Sequence, residues 1–378
     1  MTMLRQLKQL LQYRTKPRLS LRVNSSVKPV RGFWQDLVDQ KLIQGKKLYV
    51  VAPMADVTDI AFRTMIAKYS KPYGPDVMWT EFVSADGLCS AGREVLKRDL
   101  EFTDIERPVV AQLFTSNPEN MRKAAALCRE LGFDGIDINM GCPDKSIEKQ
   151  GAGAAHIKNW RRAQEVIRAA QDGAGDLPVS VKTRIGYNNV EFMEWLPKIL
   201  ECNIPALTVH LRTRKEMSLV DAHWDLMGDI VKLVRDMTGE VSEGGTIVLG
   251  NGDVKSVTEG KKLAEKSGCD GVMVGRGIFG MPWFFQSVEE RGHDAEGRRI
   301  DTFATTTEER LRIMVEHTKL YEEKLGDIKS FAIMKKHFKA YVNGFDGAKE
   351  LRIELMDSKN ADEVEMTVKN WLHSLSKV

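Results

Sequence analysis

From Leu48 to Val274 the chain repeats one unit eight times: a short apolar run, then a helix-length amphipathic segment. The runs are Leu48–Ala52, Val77–Thr80, Val109–Leu113, Gly135–Ile138, Val179–Lys182, Ala206–His210, Ile247–Gly250 and Gly271–Val274. Near-continuous apolar strands of this kind are buried on both faces, as parallel strands are when helices cover them. The repeat predicts an α/β fold, a closed (β/α)8 TIM barrel. A doubly wound open sheet is the alternative, but no GxGxxG follows the first run, which counts against a dinucleotide fold.

Within that frame Asn139-Met140-Gly141-Cys142-Pro143 stands out. Gly141 and Pro143 turn the chain out of the fourth strand, which places Cys142 on a loop at the strand's C-terminal end. That is where barrels of this kind carry their chemistry. A cysteine is more often a small buried hydrophobe. Held on such a loop, a thiol can act as nucleophile or as proton donor.

The other strand ends are polar or glycine-rich in turn: Pro53-Met54-Ala55, Glu81, Gln112, Lys182-Thr183-Arg184, His210, Asn251-Gly252-Asp253 and Gly275-Arg276-Gly277. Glycine turns after strands seven and eight expose backbone N–H groups to a phosphate in this fold, and Arg276 adds charge there. Lys182, His210 and Gln112 would face the same cavity and supply hydrogen-bond donors to an anionic heteroaromatic ring. A lysine beside the pyrimidine end of a reduced flavin stabilises its charge. Flavin mononucleotide (FMN) meets both demands, and pyridoxal phosphate is the chemical runner-up.

The 378 residues allow one large domain and a smaller one, and 42% hydrophobic with 29% charged residues supports a sizeable core. Five cysteines, odd in number and without zinc-like pairing, fit a reducing compartment. No apolar run is long enough to span a bilayer, so no membrane association is expected. The net charge of +3 neither demands nor excludes a nucleic acid. The division expected is a basic N-terminal extension over 1–45, the barrel over 46–300 and a small helical domain over 301–378.

The extension holds eight Lys/Arg and no acidic residue from Met1 to Gln35, with Leu4, Leu7, Leu10 and Leu11 at helical spacing. It reads equally as an organellar targeting peptide, a tail resting on RNA phosphates or a solvated segment. A cytoplasmic protein is expected, with mitochondria as the alternative the first reading opens. Phe33-Trp34 begins a short helix. Past the polar stretch Arg291–Thr307, helices are predicted over Glu308–Lys324, Ile328–Val342 and Asp362–Leu375. Lys329, Lys335, Lys336, His337, Lys339, Lys349 and Arg352 gather around Phe338 and Tyr341. Basic residues interleaved with aromatics can bind a nucleic-acid backbone, although a charge run alone is more often a solvated helix face.

Taken together these segments resemble the tRNA-dihydrouridine synthases. The resemblance rests on Val51-Ala52-Pro53-Met54-Ala55-Asp56-Val57-Thr58-Asp59, Thr80-Glu81-Phe82-Val83-Ser84-Ala85 and Ala111-Gln112-Leu113. It continues in Asn139-Met140-Gly141-Cys142-Pro143, Val181-Lys182-Thr183-Arg184-Ile185-Gly186 and Thr208-Val209-His210-Leu211-Arg212-Thr213-Arg214. Asn251-Gly252-Asp253-Val254, Val274-Gly275-Arg276-Gly277 with Pro282-Trp283, and the tail Lys336-His337, Gly344, Gly347-Ala348 and Leu351-Arg352 complete it.

The resemblance implies an NAD(P)H-dependent flavoenzyme, with NADPH or NADH as reductant, that reduces uridine in tRNA and acts as a monomer. Hydride from FMN would reach C6 of the uracil, and Cys142 would protonate C5 from the other face. Pro53, Met54, Gln112, Lys182, His210, Asn251, Gly252, Asp253, Gly275 and Arg276 would hold the flavin. Asn139 and Arg184 would meet the uridine. Lys335, Lys336, Lys339 and Arg352 in the helical domain would grip the tRNA. Leu211, and the loop Lys215–His223 without its usual Gly and Tyr, depart from the family pattern on the substrate side. The competing reading is an FMN-dependent ene-reductase or dihydroorotate-type dehydrogenase acting on a free small molecule. A non-catalytic RNA-binding barrel would leave Cys142 and Lys182 without a role.

Overall fold

The computed structural model describes residues 28–286 and 306–375. The N-terminal segment before residue 28 lies outside them, and so does the targeting-peptide reading with the helix it was given. Most of the polar stretch Arg291–Thr307, and with it the domain boundary at 300, also lies outside.

Eight parallel strands form one sheet: β1 (Leu48–Val51), β2 (Met78–Ser84), β3 (Val109–Phe114), β4 (Gly135–Met140), β5 (Val179–Arg184), β6 (Ala206–His210), β7 (Ile247–Asn251) and β8 (Gly271–Val274). Strand β1 pairs with β8 and also meets the start of β2 through a Val50–Val77 bridge. Val51 N–H donates to the Val77 carbonyl at 3.1 Å, and the sheet closes on itself. The longer crossover helices are α1 (Ile60–Ser70), α2 (Pro118–Glu130), α3 (Trp160–Ala174), α4 (Phe192–Leu200), α5 (Met227–Thr238) and α6 (Val257–Ser267). Asp59, Asn117, Asn159 and Ser256 cap the starts of α1, α2, α3 and α6 with side-chain oxygens, each filling an N–H that has no partner within the helix.

Five strands run further than the apolar pattern predicts, β3 and β7 by one residue each and β2, β4 and β5 by more. β2 continues through the polar pair Thr80-Glu81 because a register shift between Trp79 and Phe82 accommodates it. β4 and β5 extend because Asn139 pairs with Lys182 and Met140 with Thr183, so ladder hydrogen bonds override polar side chains. After β2 the chain makes two short helices, Ala85–Leu88 and Arg93–Lys97, where one long one was expected.

Inside the barrel, side chains alternate in and out, and the inward set changes character along the axis. Leu48, Val50, Val77, Trp79, Val110, Ala206, Ile247, Leu249 and Met273 fill the lower part. The short helix Phe33–Leu37, continued by a π-helical turn Val38–Leu42, plugs the bottom with Trp34 and Val38. The Trp34 and Trp79 ring centroids are 6.2 Å apart. Higher up, the inward positions become Gln112, Asp137, Asn139, Ser180, Lys182, Arg184 and His210, so an apolar floor carries a polar mouth.

The C-terminal helices are α7 (Thr307–Leu325), α8 (Met334–Tyr341), α9 (Ala348–Asp357) and α10 (Ala361–Leu375). The helix expected over Ile328–Val342 is a 3-10 turn, Phe331–Ile333, followed by α8. α9 was not anticipated, although Ala348, Leu351 and Leu355 recur at helical spacing and are buried. Leu311, Met314, Phe338 and Tyr341 pack on Ile60, Ala61 and Met65 of α1, so this unit docks on one barrel helix. Lys329 adds a polar lock, reaching Glu81 at 2.6 Å and Asp99 at 2.8 Å. No helix among the described residues is long and apolar enough to cross a membrane.

Trp34→Ala should cost about 3–5 kcal/mol, because a buried tryptophan leaves a cavity its neighbours only partly fill. Urea unfolding followed by circular dichroism measures it. A loss under about 1 kcal/mol would show that the floor does not depend on this side chain.

Candidate active site

The mouth of the barrel opens into a cavity of about 550 Å³. Its lining includes Pro53, Met54, Gln112, Asn139, Cys142, Lys182, Arg184, His210, Asn251, Gly252, Asp253, Gly275 and Arg276, brought together from the ends of seven strands. Phe82, Arg212, Ser218 and Lys255 also line it and were not singled out as site residues from the sequence. Among its charged residues five are basic (Lys182, Arg184, Arg212, Lys255, Arg276) and one is acidic, Asp253.

The loop bearing Cys142 is held by a chain of hydrogen bonds that starts below the cavity. Asp137, fully buried in β4, accepts from Ser180 Oγ at 2.6 Å and from Gln112 Nε2 at 2.6 Å. Gln112 Oε1 then accepts from Asn139 Nδ2 at 2.9 Å. Asn139 Oδ1 accepts the backbone N–H groups of Gly141 (3.1 Å) and Cys142 (2.8 Å). Since a carboxylate only accepts, Asp137 fixes which way both amides point, and so turns an oxygen toward the cysteine loop. Burial pushes Asp137 up to about 6, which leaves it ionised at neutral pH. The sequence reading passed over Asp137; a carboxylate inside the apolar run Gly135-Ile136-Asp137-Ile138 is the one signal that could have found it.

From the other side, Arg184 Nε donates to the Gly141 carbonyl at 2.7 Å and Ala154 N–H to the Cys142 carbonyl at 2.9 Å. The Arg214 guanidinium pairs with both oxygens of Glu148, just past the loop, with Nε at 2.9 and 2.8 Å. Burial pushes the Cys142 thiol above its usual range, and the nearby Arg184 and Lys182 only partly offset it. The thiol is therefore protonated at neutral pH.

Burial, then Arg184, pulls Lys182 down to about 8. Its ammonium makes no hydrogen bond or ion pair among the described residues. Burial and the surrounding cations hold His210 far below the usual imidazole range, so it is neutral. Arg212 Nη1 lies 3.1 Å from His210 Nε2 and can only donate, which makes Nε2 the acceptor and puts the ring proton on Nδ1. Arg212 Nη2 also pairs with Asp253 Oδ2, and Arg276 Nη2 lies 3.3 Å from Asp253 Oδ1. Burial raises Asp253, but Arg212 and the Ala222 N–H outweigh it and leave the carboxyl below its usual range. Asn251 Nδ2 donates to the Met273 carbonyl at 2.8 Å, tying β7 to β8.

The helical-domain residues do not line the cavity. Lys336 and Lys339 are exposed and Lys335 half-buried on α8, whose position beside the mouth is marked by Lys336 Nζ at 3.3 Å from Asp56, two residues past Met54. Arg352 Nη1 donates to the Val342 carbonyl at 2.6 Å, tying α9 to the end of α8. Of the other basic residues expected on this face, Lys329 is spent on Glu81 and Asp99, and His337 is buried against Phe62 with ring centroids 5.0 Å apart.

A (β/α)8 barrel with a cationic chamber at its C-terminal mouth and a protonated thiol on the rim defines an anion-binding enzyme site of the TIM-barrel type. The family model for dihydrouridine synthases matches residues 50–376, and the chain belongs to that family. It is 40% identical over 335 residues to the probable tRNA-dihydrouridine synthase 2 of Bacillus subtilis (strain 168), covering 88% of this chain and 94% of that protein. The probable tRNA-dihydrouridine synthase of Staphylococcus aureus (strain COL) is 38% identical over 334 residues, covering 88% and 93%. Leu211, where the sequence departs from the family pattern, is buried in the sheet–helix layer and does not line the cavity.

Between about 8 and 10.5 the unfolded chain carries a proton on Lys182 that the folded barrel lacks. Folding stability attributable to this residue therefore rises with pH across that window, and below it the buried ammonium is a cost. The unfolding free energy of wild type should gain on that of Lys182→Met as pH rises from about 8 to 10.5. Parallel curves would show that Lys182 is not desolvated.

Proposed function

We propose that this protein reduces uridine in tRNA to 5,6-dihydrouridine, using FMN held in the barrel mouth and NADPH or NADH as reductant. The observation that carries the reading is the pairing of a cationic chamber with a neutral thiol at its rim. The family match and the tRNA-dihydrouridine synthase relatives support the substrate.

The residues present fit a flavin with a terminal phosphate. Among the described residues the Lys182 ammonium is left without a partner, which an anionic ring edge would supply. A Cβ added at Gly275 would meet only Met54 Sδ at 3.5 Å and Ala52 Cβ at 3.7 Å, both cavity-lining atoms, so the protein's own packing does not require glycine there. A ligand approaching that backbone closely would. Gly275 and Arg276, with Asn251, Gly252 and Asp253, would hold the phosphate. Lys182, Gln112 and the Nδ1–H of His210 would serve the ring, with Pro53 and Met54 beside it. When bound, the reduced flavin supplies the hydride that adds to C6 of the uracil.

Cys142 then gives the Sγ proton to C5, and the two additions together saturate the C5–C6 double bond. Its thiol suits this part because burial keeps it protonated, while Arg184 and Lys182 steady the thiolate it leaves until solvent restores the proton. Asn139 and Arg184 position the cysteine loop and would meet the uridine from above it. Outside the chamber, Lys335, Lys336 and Lys339 on α8 would touch backbone phosphates, and so would the free side of the Arg352 guanidinium. Such contacts place an RNA without reading its bases.

Cys142→Ala should retain flavin and still be reduced by NADPH, while dihydrouridine formation falls about 10²–10⁴-fold. Nucleoside analysis of reacted tRNA measures it, and near-normal turnover would reduce Cys142 to a packing residue. Lys335→Ala/Lys339→Ala should weaken every substrate tRNA alike and flatten the slope of log affinity against log salt by about one per lost contact. An unchanged slope would mean that α8 is not the RNA grip.

A further inference from the structure

The loop Lys215–His223, between β6 and α5, presents an apolar side chain beside the cavity on a backbone that is unusually well held. Leu219 is 84% exposed, and Met217 and Val220 beside it are exposed as well. A single exposed leucine ordinarily needs no explanation. Here the carbonyls on either side are gripped by buried guanidiniums: Arg184 Nη1 donates to Met217 O at 3.0 Å and Arg212 Nε to Val220 O at 2.6 Å. Leu219 N–H donates to the Glu216 carbonyl at 2.9 Å, and the Glu216 carboxylate takes the Thr213 N–H at 2.8 Å and lies 3.1 Å from His223 Nε2. Met217 is held at φ 51°, a left-handed conformation that side-chain-bearing residues seldom adopt. Ser218, immediately before Leu219, lines the cavity. Two buried charges and a strained residue are thus spent on fixing a loop whose tip is apolar and turned to solvent.

Resting on the tRNA reading above, we propose that Leu219 is a wedge that enters the base stack of the RNA as the target uridine leaves it. A base cannot reach a barrel mouth from within a stack, so it must be extruded. Proteins that open stacks commonly fill the gap with an apolar side chain. Leu219 stands one residue from the cavity that would receive the base, and the cavity's cationic lining suits the polyanion that carries it. A wedge works only if it does not yield, which is what the Arg184 and Arg212 clamps provide. Its position in the loop that departs from the family pattern makes it a determinant of which uridine this protein takes.

The test compares wild type, Leu219→Ala and Leu219→Met, each loaded with flavin, on a folded tRNA and on a short unstructured oligonucleotide carrying the same uridine. A 2-aminopurine beside the target reports unstacking independently of turnover. Leu219→Ala should lose the fluorescence rise and react about tenfold more slowly with folded tRNA, yet match wild type on the oligonucleotide. Leu219→Met should restore both. Equal slowing on both RNAs, or none on either, would overturn the wedge while leaving uridine reduction intact. Wild type that reduces uridine in neither RNA would overturn the reading on which the wedge rests.

Discussion

The buried carboxylate of Asp137 is the interaction on which the site depends. A charge at that depth is costly unless every oxygen is satisfied, and Ser180 and Gln112 satisfy both. In return it imposes a direction on the amides above it, and that direction ends at the N–H of Cys142. With an apolar residue in its place Gln112 and Asn139 could flip, and the cysteine loop would have no fixed acceptor beneath it. The position of the thiol is therefore set three side chains away, inside the barrel wall.

Around that chain the barrel sorts its interior by height. Aliphatic side chains and two tryptophans close the floor, and the layer above is almost entirely polar. Arg184 and Arg212 do two things there. They hold loop carbonyls at Gly141, Thr213, Met217 and Val220, and they keep the chamber positive. Burial first, and that positive field after it, keep His210 neutral and lower Lys182 to about 8, where it still carries its charge at neutral pH but gives it up readily. Scaffold and electrostatics are thus one set of residues, and neither function can be altered alone.

Much of this was legible in the sequence, for a physical reason. Parallel strands buried on both faces write themselves as apolar runs, and their C-terminal ends are where polar residues concentrate, so Cys142, Lys182, His210 and the glycine turns could be named in advance. Asp137 was hidden because it sits within such a run, where a charge reads as an interruption. Arg212 was missed because its partners, Val220 O and Asp253, come to it only through the fold. β2 was cut short at Thr80 because a register shift, invisible to periodicity, carries Glu81 within the strand to meet Lys329. From Lys329 to Arg352, basic residues that looked alike in sequence divide in space. Lys336 and Lys339 stay on the surface, Lys329 is drawn into docking, and Arg352 commits one nitrogen to a carbonyl.

If one chamber joins a flavin to a uridine presented by RNA, a single turnover without oxygen will couple the two. Flavin-loaded protein, reduced beforehand and freed of excess reductant, is mixed with tRNA lacking dihydrouridine while the flavin absorbance is followed. The flavin should reoxidise, and one dihydrouridine should appear for each flavin reoxidised. A flavin that stays reduced with tRNA, or that is reoxidised as fast by free uridine or a simple enone, would contradict it.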